Sequence, residues 1–418
     1  MRWTSWAAVL AAAAITAGAH AQQPTDTLAR RQQRTLDSLA AVIRELQSRI
    51  QTLELARQQA DTAAADELAA LRAAAAAAAA AADTAAAQPQ QPRLGLNALN
   101  PEISVTGDIR GNARSGESGD NFSAREFEFA FQSTLDPFST AKIFLSMEEG
   151  EISLEEGYAY FTALPGHLRL DVGQFRQQVG ELNRWHLHGL ATDEYPLVLR
   201  RYAGEEGLIA TGASLYWPLP FSGPRGTYEL TLQATAGSNE VLFLGGNRAS
   251  VNAQLSGFWQ FTRSTFGQVS VSAVAGSNPD SSLKTTLGVL AARFSWRPPQ
   301  LALSREFTVR GELWRLRRRF DLPGDAFFDK ARLGGYVEST WKLDRRWIAG
   351  VRGDWVQSPE PGPVRKEWAV TPVLTFWQSE FVYARALYEH WRDDTPVTRR
   401  RFTLQVVFAM GPHKHELF

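Results

Sequence analysis

The 418-residue chain contains no cysteine. That removes a disulfide framework and the thiol a lipoprotein would need for its anchor. Beyond the N-terminus no run of about 18 consecutive apolar residues occurs, which excludes a bundle of transmembrane helices. A bias in charge is missing too. Lys+Arg and Asp+Glu number 44 each, so nothing draws the whole chain toward nucleic acid or an anionic surface. Catalytic signatures are also lacking: there is no Gly-x-Ser-x-Gly elbow, no phosphate loop and no dinucleotide fingerprint in strand–helix context. No enzyme activity and no cofactor are expected.

What is present changes character along the chain. Arg2, the apolar "WAAVLAAAAITAG" and the small-x-small "AHA" read as an export signal over residues 1–21. Residues 22–88 are rich in Ala, Leu, Gln, Arg and Glu, a composition of strong helix propensity. Leu36, Ile43 and Ile50 fall seven apart, as do Leu39, Leu46 and Leu53, which gives a heptad seam. A coiled-coil stalk is expected, with a surface-lying amphipathic helix as its rival. Ile at one seam position and Leu at the other lean toward two strands, although a fused domain can impose another number. Ala73 to Ala82 continues the helix with little apolar volume, and Pro89 and Pro92 end it in a linker over residues 89–102.

From residue 103 to 418 the period becomes two. "ISVTGDIRG" sets Ile103, Val105 and Ile109 against Ser104, Thr106, Asp108 and Arg110. "REFEFAFQS" sets Phe127, Phe129 and Phe131 against Glu126 and Glu128. "FTLQVVFAM", near the end, sets Phe402, Leu404, Val406 and Phe408 against Thr403, Gln405 and Val407. Segments of about ten or more residues with aromatics near their ends are the mark of a transmembrane barrel, apolar toward lipid and polar toward the lumen. About sixteen antiparallel strands are predicted, starting near 103, 122, 140, 152, 167, 207, 227, 250, 265, 283, 305, 332, 347, 364, 381 and 398. Short turns such as "LPG" and "LDRR" alternate with longer connections such as "GNARSGESGDN", residues 176–207 and "RRRFDLPGDAFFDKA". The last strand is expected to pair with the first, because closure alone removes both open edges. A barrel of this length is too small for a plugged transporter of about 22 strands.

The segments "NPEISVTGDI", "GQFRQQVGELNRWHLH", "YPLVLRRYAGEEGL" and "GPHKHELF" resemble the outer-membrane porin group that includes the phosphate-selective porin O and P family. The resemblance implies a 16-stranded trimer whose third loop folds into the pore, with a C-terminal aromatic strand read by the barrel assembly machinery. Phe408 and Phe418 would form that assembly signal. Family members owe anion selectivity to a ladder of lumen Arg and Lys. This sequence departs from the ladder. Arg110, Arg310 and Arg352 are expected in the lumen beside Glu126, Glu128, Glu312, Glu338 and Asp354, a transverse field rather than an anion funnel.

The candidate site is the long loop. Arg184, His186, His188, Asp193, Glu194, Arg200, Arg201, Glu205 and Glu206 are expected to screen solutes at a constriction, their apolar neighbours packing on the inner wall. An external loop packed on its surroundings is the plainer alternative. His186, His188 and Asp193 have metal-ligating chemistry, but two His in a polar loop more often hydrogen-bond, and no metal is expected. "RLRRRF", from Arg315 to Phe320, is read as a contact for lipopolysaccharide phosphates, and His413 and His415 as periplasmic tail residues. The function expected is passive diffusion of small hydrophilic solutes or ions through an outer-membrane homotrimer, with the stalk in the periplasm and no nucleic-acid partner. A barrel serving only as an anchor for the stalk is the other reading.

Overall fold

A computed structural model describes residues 45, 47–49 and 101–411, except 116–120, 222, 224–225, 247, 280–282, 323–325 and 396–397. Two compact units divide the chain, Met1–Arg93 and Leu94–Phe418. In the first, Glu45, Gln47, Ser48 and Arg49 are helical, and Arg49 Nε lies 3.0 Å from Glu45 Oε1 in an i,i+4 pair. The export signal, the heptad positions, the linker up to residue 100, Phe418 and the tail histidines lie outside the described residues, and Glu102, read as the linker's last residue, opens the first strand.

In the second unit sixteen strands form a closed antiparallel barrel. They are β1 Glu102–Arg114, β2 Asn121–Asp136, β3 Ser139–Glu148, β4 Glu151–Leu164, β5 Leu168–Arg176, β6 Ile209–Pro218, β7 Gly226–Ala236 and β8 Ala249–Gln260. β9 Thr265–Ser277, β10 Lys284–Trp296, β11 Glu306–Leu322, β12 Ala326–Lys342, β13 Trp347–Gln357, β14 Lys366–Trp377, β15 Val382–Asp393 and β16 Thr398–Met410 complete it. β16 pairs with β1 from Val105↔Met410 to Arg114↔Arg401, so the predicted closure is made. The Phe408 ring lies over Gly107, where an added Cβ would stand 2.5 Å from it.

Alternation sorts the two faces as expected. On β16 Phe402, Leu404 and Val406 are exposed outward while Thr403, Gln405 and Val407 are buried inward. An outer belt of Leu232, Leu255, Val271, Leu313, Val337 and Val370 runs round the barrel. Exposed Phe138, Trp217, Phe258, Trp296, Trp341 and Trp347 gather near the β2–β3 type of turn, which is how an aromatic girdle is placed.

Two connections differ from the sequence reading. "RRRFDLPGDAFFDKA" was expected as a long loop, but β11 and β12 run through most of it and leave only residues 323–325 between them. The flanking Phe and Arg continue the ladder. β3 and β4 are joined by Glu149 and Gly150 alone, both at positive φ, a tight turn on the side where longer loops were expected.

Candidate functional site

The connection between β5 and β6, residues 177–208, enters the barrel. Its base is stapled shut. Gln177 N donates to Leu208 O at 2.8 Å, and Asn183 bridges both loop ends by donating to Gln177 O and Leu208 O and accepting from Leu208 N. The loop is therefore a compact unit with joined ends, as Ω-loops are.

Residues 195–203 sit on an apolar seat. α1, Leu197–Ala203, starts after Pro196 and buries Leu197, Val198, Leu199, Tyr202 and Ala203. Their partners in one hydrophobic cluster are inward-facing Leu287, Val289, Trp314, Leu316, Tyr336 and Val356, joined by Leu242 and Phe243 of the β7–β8 connection. Gly334 makes room for the helix, since a Cβ there would lie 2.7 Å from Val198 Cγ2. The loop's apolar residues thus pack on the inner wall, as their composition required.

Residues 188–194 are gripped by polar groups. Asp193 meets Arg401 Nη1 at 2.6 Å and Arg110 Nη1 at 3.3 Å, and its carbonyl accepts from Arg110 and Arg125. Arg352 donates to Thr192 Oγ1 and Glu194 O, while its Nε pairs with Asp354, whose other oxygen accepts from Leu197 N. Arg385 donates to Leu190 O and Thr192 O, and Tyr383 to His188 O. Across the lumen Glu312 accepts from the backbone of Glu181 and Leu182, from Trp314 Nε1 and from Tyr336. Gly180, at φ 64°, brings its backbone so close that a Cβ would lie 2.3 Å from the Glu312 carboxylate. Burial opposes charge on Asp193, yet Arg401 and Arg110 outweigh it and hold the carboxyl below its ordinary range.

Two β-bulges aim groups at this loop. The β1–β2 register skips Arg125, and the β3–β4 register skips Glu155. Each bulge turns neighbours in sequence to the same side, so Arg125 joins Glu126, and Glu155 joins Glu156, in facing the lumen. His186 meets this wall. Its Nδ1 lies 2.7 Å from Glu128 Oε2 and 2.9 Å from Glu155 Oε2, and its Nε2 lies 2.8 Å from Glu156 Oε1. Burial works against charge on the ring, but the facing carboxylates raise the imidazole well above its usual range. Arg176 pairs with Glu155 at 2.9 Å and donates to Tyr195 and to Glu206 O.

The remaining predicted residues fall as follows. Arg184 donates to Gln178 Oε1 and borders a recess between the loop and the β4–β7 wall, beside Arg169, Asp171 and Glu229. Arg200 pairs with Glu194 at 2.9 Å, and Arg201 with Glu367 on β14 at 2.7 Å. Glu205 and Glu206 are exposed. Arg310 lies 3.4 Å from Glu338 and 3.3 Å from Glu181. Phe408 packs edge-on against Phe127.

Two expectations are corrected. Lumen-facing Arg110, Glu126, Glu128, Glu312, Glu338, Arg352 and Asp354 are all buried, and most bind the loop or one another rather than lining water. His186 turns to β2 and β4 with the His188 ring beside it, while Asp193 is taken by Arg110 and Arg401. "RLRRRF" is split between faces. Arg315 and Arg317 point outward, but Arg318 is buried and donates to Val241 O.

Sequence reasoning missed the lumen's apolar seat and the groups Arg125, Glu155, Arg176, Asn183, Tyr383 and Arg385. A signal existed for the seat. "TTLGVLAARF" in β10 is apolar on both faces, which in a lipid-facing strand requires something dry inside.

No family model matches the chain. A protein of Aquifex aeolicus (strain VF5), described as uncharacterized, is 24% identical over 338 residues, covering 71% of this chain and 70% of that one. A solved structure of the loop L8 deletion mutant of OmpT, an outer membrane protein of Vibrio cholerae, matches 74% of this chain and 99% of its own, at 10% identity and a TM-score of 0.51. The outer membrane channel DcaP of Acinetobacter baumannii matches 74% and 98%, at 9% identity and a TM-score of 0.50. Pseudomonas putida OprB matches 75% and 95%, at 9% identity and a TM-score of 0.50. Likeness at such identity is one of fold, and the fold is the sixteen-stranded barrel of outer-membrane porins.

Proposed function

We propose that the barrel is an outer-membrane channel whose long loop forms a fixed, narrow constriction for small hydrophilic solutes or ions. The observation that carries this reading is the recess beside the loop. There Arg169, Asp171, Arg184 and Glu229 share a wall with the small polar groups of Ser214 and Thr231, the lining a hydrated path requires. Charges of both signs border it, so weak ion preference is the expected property, in contrast to the anion selectivity of the phosphate-selective type. Arg184 belongs to this path; His186, His188, Asp193, Glu194, Arg200 and Arg201 act behind it by holding the loop.

A homotrimer in lipid and lipopolysaccharide belongs to the same reading, with residues 22–88 as a periplasmic coiled coil and the C-terminal strand recognised during assembly. Removing Phe418 should then lower the yield of inserted protein. The test of the channel is current through planar bilayers, where small ohmic steps are expected. A barrel silent at every voltage would favour the other reading, an anchor for the stalk, to which the dry core around Trp314 and α1 lends support.

A further inference from the structure

We propose that Glu128, Glu155 and His186 form a binding site for one divalent transition-metal ion of the zinc class. The donor atoms of these three buried residues lie within 4.8 Å of one another. With metal–ligand bonds of about 2.1 Å, neighbouring ligand atoms stand roughly 3.0–3.4 Å apart. The Nδ1-to-carboxylate distances of 2.7 and 2.9 Å are those of a charge-assisted hydrogen bond, and a shift of a few tenths of an ångström with loss of the Nδ1 proton would open them to coordination spacing.

Two observations point to a ligand beyond the cluster itself. Glu128 is 1% exposed; His186 Nδ1 faces its Oε2 at 2.7 Å, but its Oε1 is buried with no hydrogen-bond donor. A buried carboxylate left half-satisfied in this way favours a further cation beside it. Glu155, in turn, faces the lumen only because a bulge turns it there, and bulges gather where a side chain must be re-aimed. Charge agrees. Glu126, Glu128, Glu155 and Glu156 crowd one wall patch, and the ion pairs that meet it come from Arg176 and the His186 ring, fewer cations than carboxylates.

The donor set also selects the ion. One imidazole nitrogen with two carboxylate oxygens suits zinc and its neighbours, whereas calcium and magnesium favour oxygen alone. His188, whose Nδ1 is 3.8 Å from Glu128 Oε2, stands near enough to add a fourth ligand by a ring rotation. His186 comes from the loop and the carboxylates from β2 and β4, so the ion would clamp loop to wall.

The experiment is metal analysis and Zn²⁺ titration of the full-length, chelator-stripped protein in detergent. Heat-modifiability on gels checks folding of every variant. One equivalent of Zn²⁺ per chain is expected, with a raised melting temperature. Glu128→Gln and Glu155→Gln should each weaken binding by at least about tenfold, since even groups behind metal ligands are worth that much. X-ray absorption of the wild-type zinc complex should show mixed nitrogen and oxygen ligation with at least one imidazole, a readout that needs no variant. No stoichiometric zinc in folded protein, or zinc kept by Glu128→Gln but lost in His413→Ala/His415→Ala, would overturn the proposal.

Discussion

Residues 188–194 and residues 195–203 belong to one loop inside one barrel, yet unlike surfaces hold them. The first stretch is taken by Arg110, Arg352, Arg385 and Arg401; the second rests on Trp314, Tyr336 and Val356. Buried ion pairs roughly break even against their desolvation, but fix geometry and are costly to half-remove. Apolar burial adds net stability of about 25 cal/mol per Å² without fixing direction. The polar stretch therefore sets where the loop crosses the lumen, and the apolar stretch keeps it there.

The largest expected effect comes from removing the difference. Deleting residues 181–195 takes out the polar stretch with its crossing, and single-channel conductance should rise several-fold; unchanged current would mean that solutes pass elsewhere or not at all. Next come the single anchors. Trp314→Ala should lower barrel stability in detergent by about 3–5 kcal/mol, through lost burial and a cavity. Asp193→Ala should cost a similar amount, about 3–5 kcal/mol, because it leaves arginines buried without their partner. The two should part in a double-mutant cycle. Adding Arg401→Ala to Asp193→Ala should recover part of the loss, whereas no second truncation restores the Trp314 seat. Urea midpoints with matched slopes would read both, and an additive Asp193/Arg401 pair would sink the distinction. Gly334→Val should cost about 1–3 kcal/mol by pressing on Val198. Smallest of all is Arg317→Ala, which breaks an exposed pair with Asp329 on the outer face and should leave stability and current unchanged.

The strands were legible because period two and turn residues are local. Most starts fall within two residues of the pattern reading; β12 starts six earlier than 332, since Pro-Gly-Asp signals a loop without saying how far the loop extends on either side. The site was less legible. Alternation says that Arg110 and Glu312 face inward, but not whether water or protein meets them. Nor can spacing within the loop reveal that His186 finds Glu128, a residue on another strand, or that bulges turn Arg125 and Glu155 into reach.

Asp193 touches Arg110 on the first strand and Arg401 on the last, and the latter contact joins residues 208 apart in sequence. During assembly that contact can form only after the two ends of the sheet have met. The mid-chain loop therefore acts as a latch thrown across the finished seam, and such distant contacts are formed late and slowly. Opening the β1–β16 edge would have to release the loop as well, so barrel closure and loop docking are coupled steps, with the latch raising the barrier to reopening more than it speeds closing.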